Sequence, residues 1–188
     1  MANSTTVDKL PFGLESSQID TLYSIANRAL VQTTHMIWEA NYRDDAAPTD
    51  PKVGGHPAAC GSSVHVTTAM HMVARAPQDF WCGKPHMAPL DHALHLQLGV
   101  FRDCEGNWMN SDDAQTVMSH LRQFSADGSP TFQSYHAASD PDSWRVLPSG
   151  TVGIPPVNSG YLALAHNYLV DHKLEDKKDV HFWSLLGD

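Results

Sequence analysis

The chain has 188 residues, 41% of them hydrophobic and 18% charged, and its formal net charge is −9 at pH 7. This length suits one globular domain, and the acidic balance argues against a nucleic-acid partner because no basic stripe is present to neutralise phosphates. Three cysteines without CxxC spacing indicate neither a disulfide framework nor a cysteine zinc site. No apolar run is long enough to span a membrane, and no signal peptide is apparent, so we expect a cytoplasmic protein.

The first half of the chain alternates helical and strand-like patterns. Residues 1–16 resemble an arm without periodicity. Apolar residues at helical spacing then predict an amphipathic helix over 18–40, with Ser17 as its N-cap. After a long loop rich in Pro, Gly and Asp, a helix is predicted over 62–75 and a short buried strand over 79–82.

The second half continues this alternation. A helix is predicted over about 89–99. Another begins at Ser111, where acids face the positive end of the helix dipole, and runs to about Phe124. A Ser/Pro/Gly-rich stretch precedes a helix over 157–172, and "DVHFWSLL" predicts a final strand. Helices alternating with sparse buried strands predict an α/β fold with functional loops at the strand ends.

Twelve histidines are an unusual total, and three of them lie in loops beside Gly or Pro: "GGHPA" (His56), "GKPHMAP" (His86) and "SYHAASDP" (His136). Histidine titrates near neutrality, glycine permits close approach of the backbone to a ligand, and proline fixes a loop. The "PSGTVGIPP" loop precedes a helix whose first amides could face an anionic group. The chain ends in "LLGD", a glycine and an acid after a buried strand, a position that often meets a ligand in α/β proteins.

Taken in order, these motifs resemble the thiamine diphosphate enzymes of the transketolase type, most closely the homodimeric E1 component of 2-oxo acid dehydrogenases. "VGGHPAACGSS" is similar to the family's GGH loop and the small-residue helix after it. "FWCGKPHMAP", "LRQFS" and "LPSGTVGIPPVNSGYLALA" resemble its second histidine loop, its FRQE segment and its Gly-rich turn. "FWSLLGD" resembles the opening of its GDG motif. The resemblance implies that residues 17–188 form the incomplete N-terminal part of a diphosphate-binding domain, with a parallel sheet flanked by helices.

The resemblance also implies roles for individual residues. His56 and His86 match the family's two active-site histidines, and His136 lies near a third. The resemblance also implies that His86 contacts the cofactor. Five further residues match cofactor contacts of the family: Val152, Gly153, Ile154, Gly187 and Asp188. Asp188 matches the acid that holds Mg²⁺ against the diphosphate, which suits a hard cation and an oxygen ligand.

The implied reaction is cleavage or transfer of a C–C bond next to a carbonyl, with thiamine diphosphate and Mg²⁺ as cofactors. Decarboxylation of a 2-oxo acid with acyl transfer is favoured over ketol transfer from a ketose. Implied partners are a second protomer or a partner chain that supplies the remaining site residues, and a lipoyl-bearing acyltransferase. Because the chain stops inside the metal motif, we expect it to continue beyond Asp188 rather than to be one half of a split enzyme.

Two alternatives stay open. Pro85 and Pro155 replace glycines of the family pattern and remove backbone donors, which favours a catalytically idle structural homologue. "DHALH" places His92 and His95 three residues apart on one helix. With His86 or Cys82 they favour a zinc-dependent hydrolase.

Overall fold

The computed structural model describes residues 13–44, 47–49, 52, 55–122, 131–176 and 179–186. Most of the predicted arm, residues 1–12, lies outside this described part. Among the described residues five α-helices and two strands are formed: α1 (Ser16–Tyr42), α2 (Pro57–Ala69), β1 (Phe80–Cys82), α3 (Ala88–Leu98), α4 (Ser111–Val117), α5 (Ile154–Asp171) and β2 (Phe182–Ser184). A π-helical turn, Met70–Ala74, extends α2, and a 3-10 turn, Pro85–Met87, leads into α3.

The two strands pair in parallel, with Trp81 opposite Trp183 and Cys82 opposite Ser184. On the other side of β1, Trp81 donates its N–H to the carbonyl of Arg145 and accepts a hydrogen bond from the N–H of Leu147. β1 is therefore covered on both edges, which suits its buried Trp81 and Cys82. The predicted α/β architecture, a parallel sheet flanked by helices, is confirmed.

The hydrophobic core lies where α1 crosses α2 and α3. α1 contributes small and medium-sized side chains at helical spacing to this core: Ala26, Ala29, Thr33, Met36, Ile37 and Ala40. Leu90, Ala93 and Leu94 of α3 are fully buried against them. Among the described residues, no helix has both the length and the hydropathy needed to cross a lipid bilayer.

The structure corrects several predicted boundaries. α1 begins at Ser16, before the expected start at residue 18, with Glu15 as its N-cap, and the Gln18 side chain accepts a hydrogen bond from the N–H of Glu15. α2 begins at Pro57 rather than at residue 62, because proline at the first helical position needs no donor there. α5 begins at Ile154, ahead of the predicted start at residue 157.

The predicted helix from Ser111 to Phe124 is wrong in its second half. α4 ends at Val117, and the chain then turns to form a bridge between Leu121 and Phe132. Arg122 follows with φ of +57°, a left-handed conformation that does not continue a helix. The predicted start at Ser111 is confirmed, and the side chain of the residue before it, Asn110, caps α4.

Candidate active site

The candidate site lies at the carboxyl ends of the two parallel strands. Because β1 and β2 run in the same direction, the loops that follow them leave the sheet at the same edge. The N–H of Leu185, just after β2, donates to the carbonyl of Cys82 at 3.1 Å. The loop after β1 continues through Gly83 to His86, so the predicted second histidine loop leaves from this edge.

His56 and His86 lie together. Their ring centroids are 4.6 Å apart in an edge-on arrangement, and the N–H of His56 donates to the carbonyl of His86 at 3.1 Å. His86 is half-buried and His56 is exposed. Burial, the neighbouring His56 and the charge of Lys84 lower the pKa of His86 below its ordinary value. His86 is therefore a neutral imidazole near pH 7, able to accept a proton.

Gly55 explains why the first histidine loop needs glycine. Its φ is +107°, and a Cβ there would lie 3.0 Å from Cγ of Pro89 and 3.1 Å from Cγ1 of Ile37. A side chain would be strained by both the backbone angle and the space. The close approach fixes the loop against α1 and α3, and the next residue, His56, occupies the N-cap position of α2.

His136, predicted as a third active-site histidine, is 5% exposed. Its Nε2 lies 2.9 Å from Oδ2 of Asp91, although off the direction needed for a hydrogen bond. The preceding residue, Tyr135, has its ring centroid 6.1 Å from that of His86. The structure therefore places the Tyr135 ring on the side of the histidine pair and His136 in the buried layer around Asp91. Its catalytic role stays a prediction.

Asp91 is the centre of a buried cluster that sequence reasoning missed. Its Oδ1 accepts a hydrogen bond from Nε2 of His71 at 3.0 Å, and its Oδ2 accepts one from the Trp81 indole at 2.9 Å. Burial raises the pKa of Asp91, but His136 and His71 outweigh it and hold that pKa well below its ordinary value. Burial lowers the pKa of His71 to about 4. We call Asp91, His71, Trp81 and His136 the Asp91 cluster.

The histidines of "DHALH" are also buried, and both contact an acid that sequence reasoning did not single out. Nδ1 of His92 and Nδ1 of His95 lie 2.7 Å and 2.8 Å from the same oxygen, Oδ2 of Asp142. Cys82, offered as a further zinc ligand, has its thiol directed at the carbonyl of Leu147. Burial raises the pKa of Cys82 to about 11, so without a bound metal ion this side chain is a neutral thiol.

The start of α5 offers few free amides to an anion. The N–H of Ile154 already donates to the carbonyl of Thr151 at 3.2 Å, and Pro155 and Pro156 have no N–H. Gly153 is exposed, and a Cβ there would meet no atom within 4 Å. This helix start can therefore make van der Waals contact with a cofactor through Val152, Gly153 and Ile154. It has too few free N–H groups to bind a diphosphate by hydrogen bonds.

α5 nevertheless lies beside the candidate site. Nδ2 of Asn158, in its second turn, donates to the carbonyl of Pro148 at 2.8 Å and lies 4.0 Å from Sγ of Cys82. The start of this helix and the carboxyl end of β1 are thus neighbours. Gly187 and Asp188, the predicted diphosphate and magnesium residues, lie outside the described residues.

The sequence is similar to two curated proteins. The pyruvate dehydrogenase E1 component of Mycolicibacterium smegmatis is 29% identical over 112 residues, which make up 58% of this chain and 12% of that protein. That of Mycobacterium tuberculosis is 29% identical over 143 residues, 72% of this chain and 14% of that protein. No family model and no solved structure matches the chain. The chain is thus distantly similar to the pyruvate dehydrogenase E1 component and spans about one seventh or less of the length of these relatives.

Proposed function

We propose that this chain forms part of the active site of a thiamine diphosphate-dependent enzyme of the E1 type, acting on a 2-oxo acid. The observation that carries the proposal is the contact between His56 and His86, at the edge where the parallel strands end. Each histidine stands in a motif that resembles an E1 loop, and the similarity to pyruvate dehydrogenase E1 components supports the same assignment.

The two imidazoles suit the proton transfers of this chemistry. Thiamine diphosphate, when bound, supplies the nucleophile and the electron sink. The carbonyl oxygen of a bound 2-oxo acid would need a proton as its carbon is attacked, and a later step would need a proton removed. His86, neutral near pH 7 and half-buried, can receive and return such a proton, and His56 beside it is open to solvent to exchange it.

The described residues are better suited to proton transfer during the reaction than to binding the diphosphate of the cofactor. The prolines at the start of α5 remove amides that would otherwise face a diphosphate. In our proposal Asp188, with Gly187 before it in the sequence, would hold the Mg²⁺ that neutralises the diphosphate. Val152, Gly153 and Ile154 would pack against the cofactor without donating to it.

The proposal includes a partner. A second protomer or another chain would supply the rest of the site, and a lipoyl-bearing acyltransferase would receive the acyl group. A cytoplasmic location remains part of the proposal. The rival proposal is that the chain is a catalytically idle homologue with a structural role. Pro85 favours it, as does the absence of backbone N–H donors at Pro155 and Pro156.

Calorimetry with thiamine diphosphate and Mg²⁺, followed by assay of 2-oxo acid turnover, tests the proposal on the enzyme that contains this chain. We expect His86→Ala to retain cofactor binding and to lower turnover by roughly 10²–10⁴. His35→Ala is the matched control, because His35 lies exposed on α1, and it should leave turnover unchanged. Wild-type protein that binds no cofactor would favour the idle homologue, and unchanged turnover in His86→Ala would remove His86 from the mechanism.

A further inference from the structure

A group of three buried side chains lies beneath α3, apart from the His56–His86 pair. His92 comes from α3, and Asp140 and Asp142 come from the turn that follows His136. One nitrogen of His92 and one oxygen of each carboxylate all lie within 4.8 Å of one another. All three residues are buried. Imidazole and carboxylate groups at such separations are the donor set of many protein-bound divalent transition metals.

The surrounding chain holds these donors in place. The two oxygens of Asp140 accept hydrogen bonds from the backbone N–H groups of Gln133 and Ala137, at 3.1 Å and 2.7 Å. Oδ2 of Asp142 also accepts from His95, so this carboxylate is oriented by a second imidazole. Partners of this kind orient the ligands of metal sites. The geometry is therefore fixed before any ion binds.

Charge and hydrogen bonding both favour a cation in this group. Two carboxylates are buried side by side. Nδ1 of His92 faces Oδ2 of Asp142 at 2.7 Å, so an ion bound by both residues would take the place of the proton between these two atoms.

One of the three donors borders a cavity. Asp140 lines a space of about 650 Å³ together with Ser143, Trp144 and two cationic residues, Arg102 and Arg145. Arg75, a further cation near this region, contacts Nε2 of His95 at 3.5 Å rather than either carboxylate of the group. Arg75 therefore reaches the group only through His95, which itself contacts Asp142.

We propose that His92, Asp140 and Asp142 bind one divalent first-row transition-metal ion, with zinc as the probe. Three protein donors leave at least one coordination position for water or for a small anion. The site differs from the magnesium site proposed at Asp188 in residues and in donor chemistry. It also differs from the zinc hypothesis built on His95, His86 or Cys82, because His95 acts here only as a partner of Asp142. The metal site does not depend on the proposed function.

The test is zinc binding by metal-free protein, measured by calorimetry and by elemental analysis after dialysis. Wild-type protein should bind one equivalent. Asp140→Asn should weaken binding by at least about tenfold, because it removes a charged donor while keeping its shape. Asp103→Asn is the matched control: Asp103 lines the same cavity, but its oxygens are engaged by Glu105 and Asn107 of its own turn, so binding should be unchanged.

Circular dichroism and thermal unfolding of the metal-free variants separate loss of folding from loss of binding. If Asp140→Asn does not fold, Co²⁺ added to the wild-type protein provides the deciding measurement, since a bound Co²⁺ with nitrogen and oxygen ligands absorbs visible light. Stoichiometric uptake with this absorption supports the site. Wild-type protein without uptake, or equal uptake by folded Asp140→Asn, would overturn it.

Discussion

Gly83 separates the loop that carries His86 from the Asp91 cluster below it. A Cβ built on Gly83 would lie 2.4 Å from Oδ2 of Asp91, 2.9 Å from Nε1 of Trp81 and 3.2 Å from Cε1 of His136. The carboxylate is held by hydrogen bonds and cannot move without breaking them. Absence of a side chain at this position is therefore a condition for burying the acid.

Gly83→Ala should destabilise the protein by about 1–3 kcal/mol, the usual cost of forcing atoms into a packed interior. Urea unfolding followed by circular dichroism measures this change. Gly61→Ala is the control, because Gly61 lies in α2, a Cβ at this position would meet no atom within 4 Å, and alanine is favoured in a helix by about 1 kcal/mol. A Gly83→Ala protein as stable as wild type would show that the packing around Asp91 can accommodate a methyl group in spite of the short distances.

The same residues show what the sequence can and cannot predict. His56 and His86 are identifiable because glycine and proline beside a loop histidine have a local physical meaning. Asp91 has no such local signal: it stands in the first turn of α3, where an acid is expected for the helix dipole alone. Its partners His71 and His136 are distant in the sequence, and only the fold brings them to it.

At the scale of elements, periodicity predicts the helices well and their ends less well. α1, α3 and β1 lie close to the expected ranges, because apolar spacing and strand composition depend on neighbours in sequence. α4 stops early because the segment after it pairs with Phe132, a contact that no local pattern indicates. Tertiary pairing therefore overrides helical propensity there.

The N-cap of α4 provides a direct test at this scale. Oδ1 of Asn110 accepts hydrogen bonds from the N–H groups of Asp112 and Asp113, at 3.0 Å and 2.9 Å. Asn110→Ala should lower the free energy of unfolding by about 0.5–2 kcal/mol. Ser111→Ala, at the first residue of the helix, should change it by less than about 0.5 kcal/mol. A larger effect at Ser111 than at Asn110 in thermal unfolding would show that the Asn110 cap does not stabilise this helix.

Over the whole molecule, one buried acid ties together two segments that are distant in the sequence. Asp79, fully buried just before β1, accepts hydrogen bonds from the N–H of Ala76, the N–H of His181 and the indole of Trp183. Burial raises the pKa of Asp79, but these hydrogen bonds outweigh it and hold that pKa below its ordinary value. The stabilisation is therefore present above about pH 4 and is lost as the pH falls through the lowered pKa.

Asp79→Ala should release β2 from β1, because it leaves the N–H of His181 and the indole of Trp183 without their acceptor. We expect a loss of at least about 2 kcal/mol at pH 7, and faster hydrogen exchange in peptides that contain β2 and Leu185. Asp179→Ala is the matched control, since that side chain is 95% exposed and close in sequence to His181. The loss should shrink as the pH falls through the lowered pKa of Asp79, where the wild-type carboxylate itself becomes protonated. If β2 kept its protection in Asp79→Ala, strand pairing and the packing of α5 alone would hold this edge, and the position of the candidate site would not depend on Asp79.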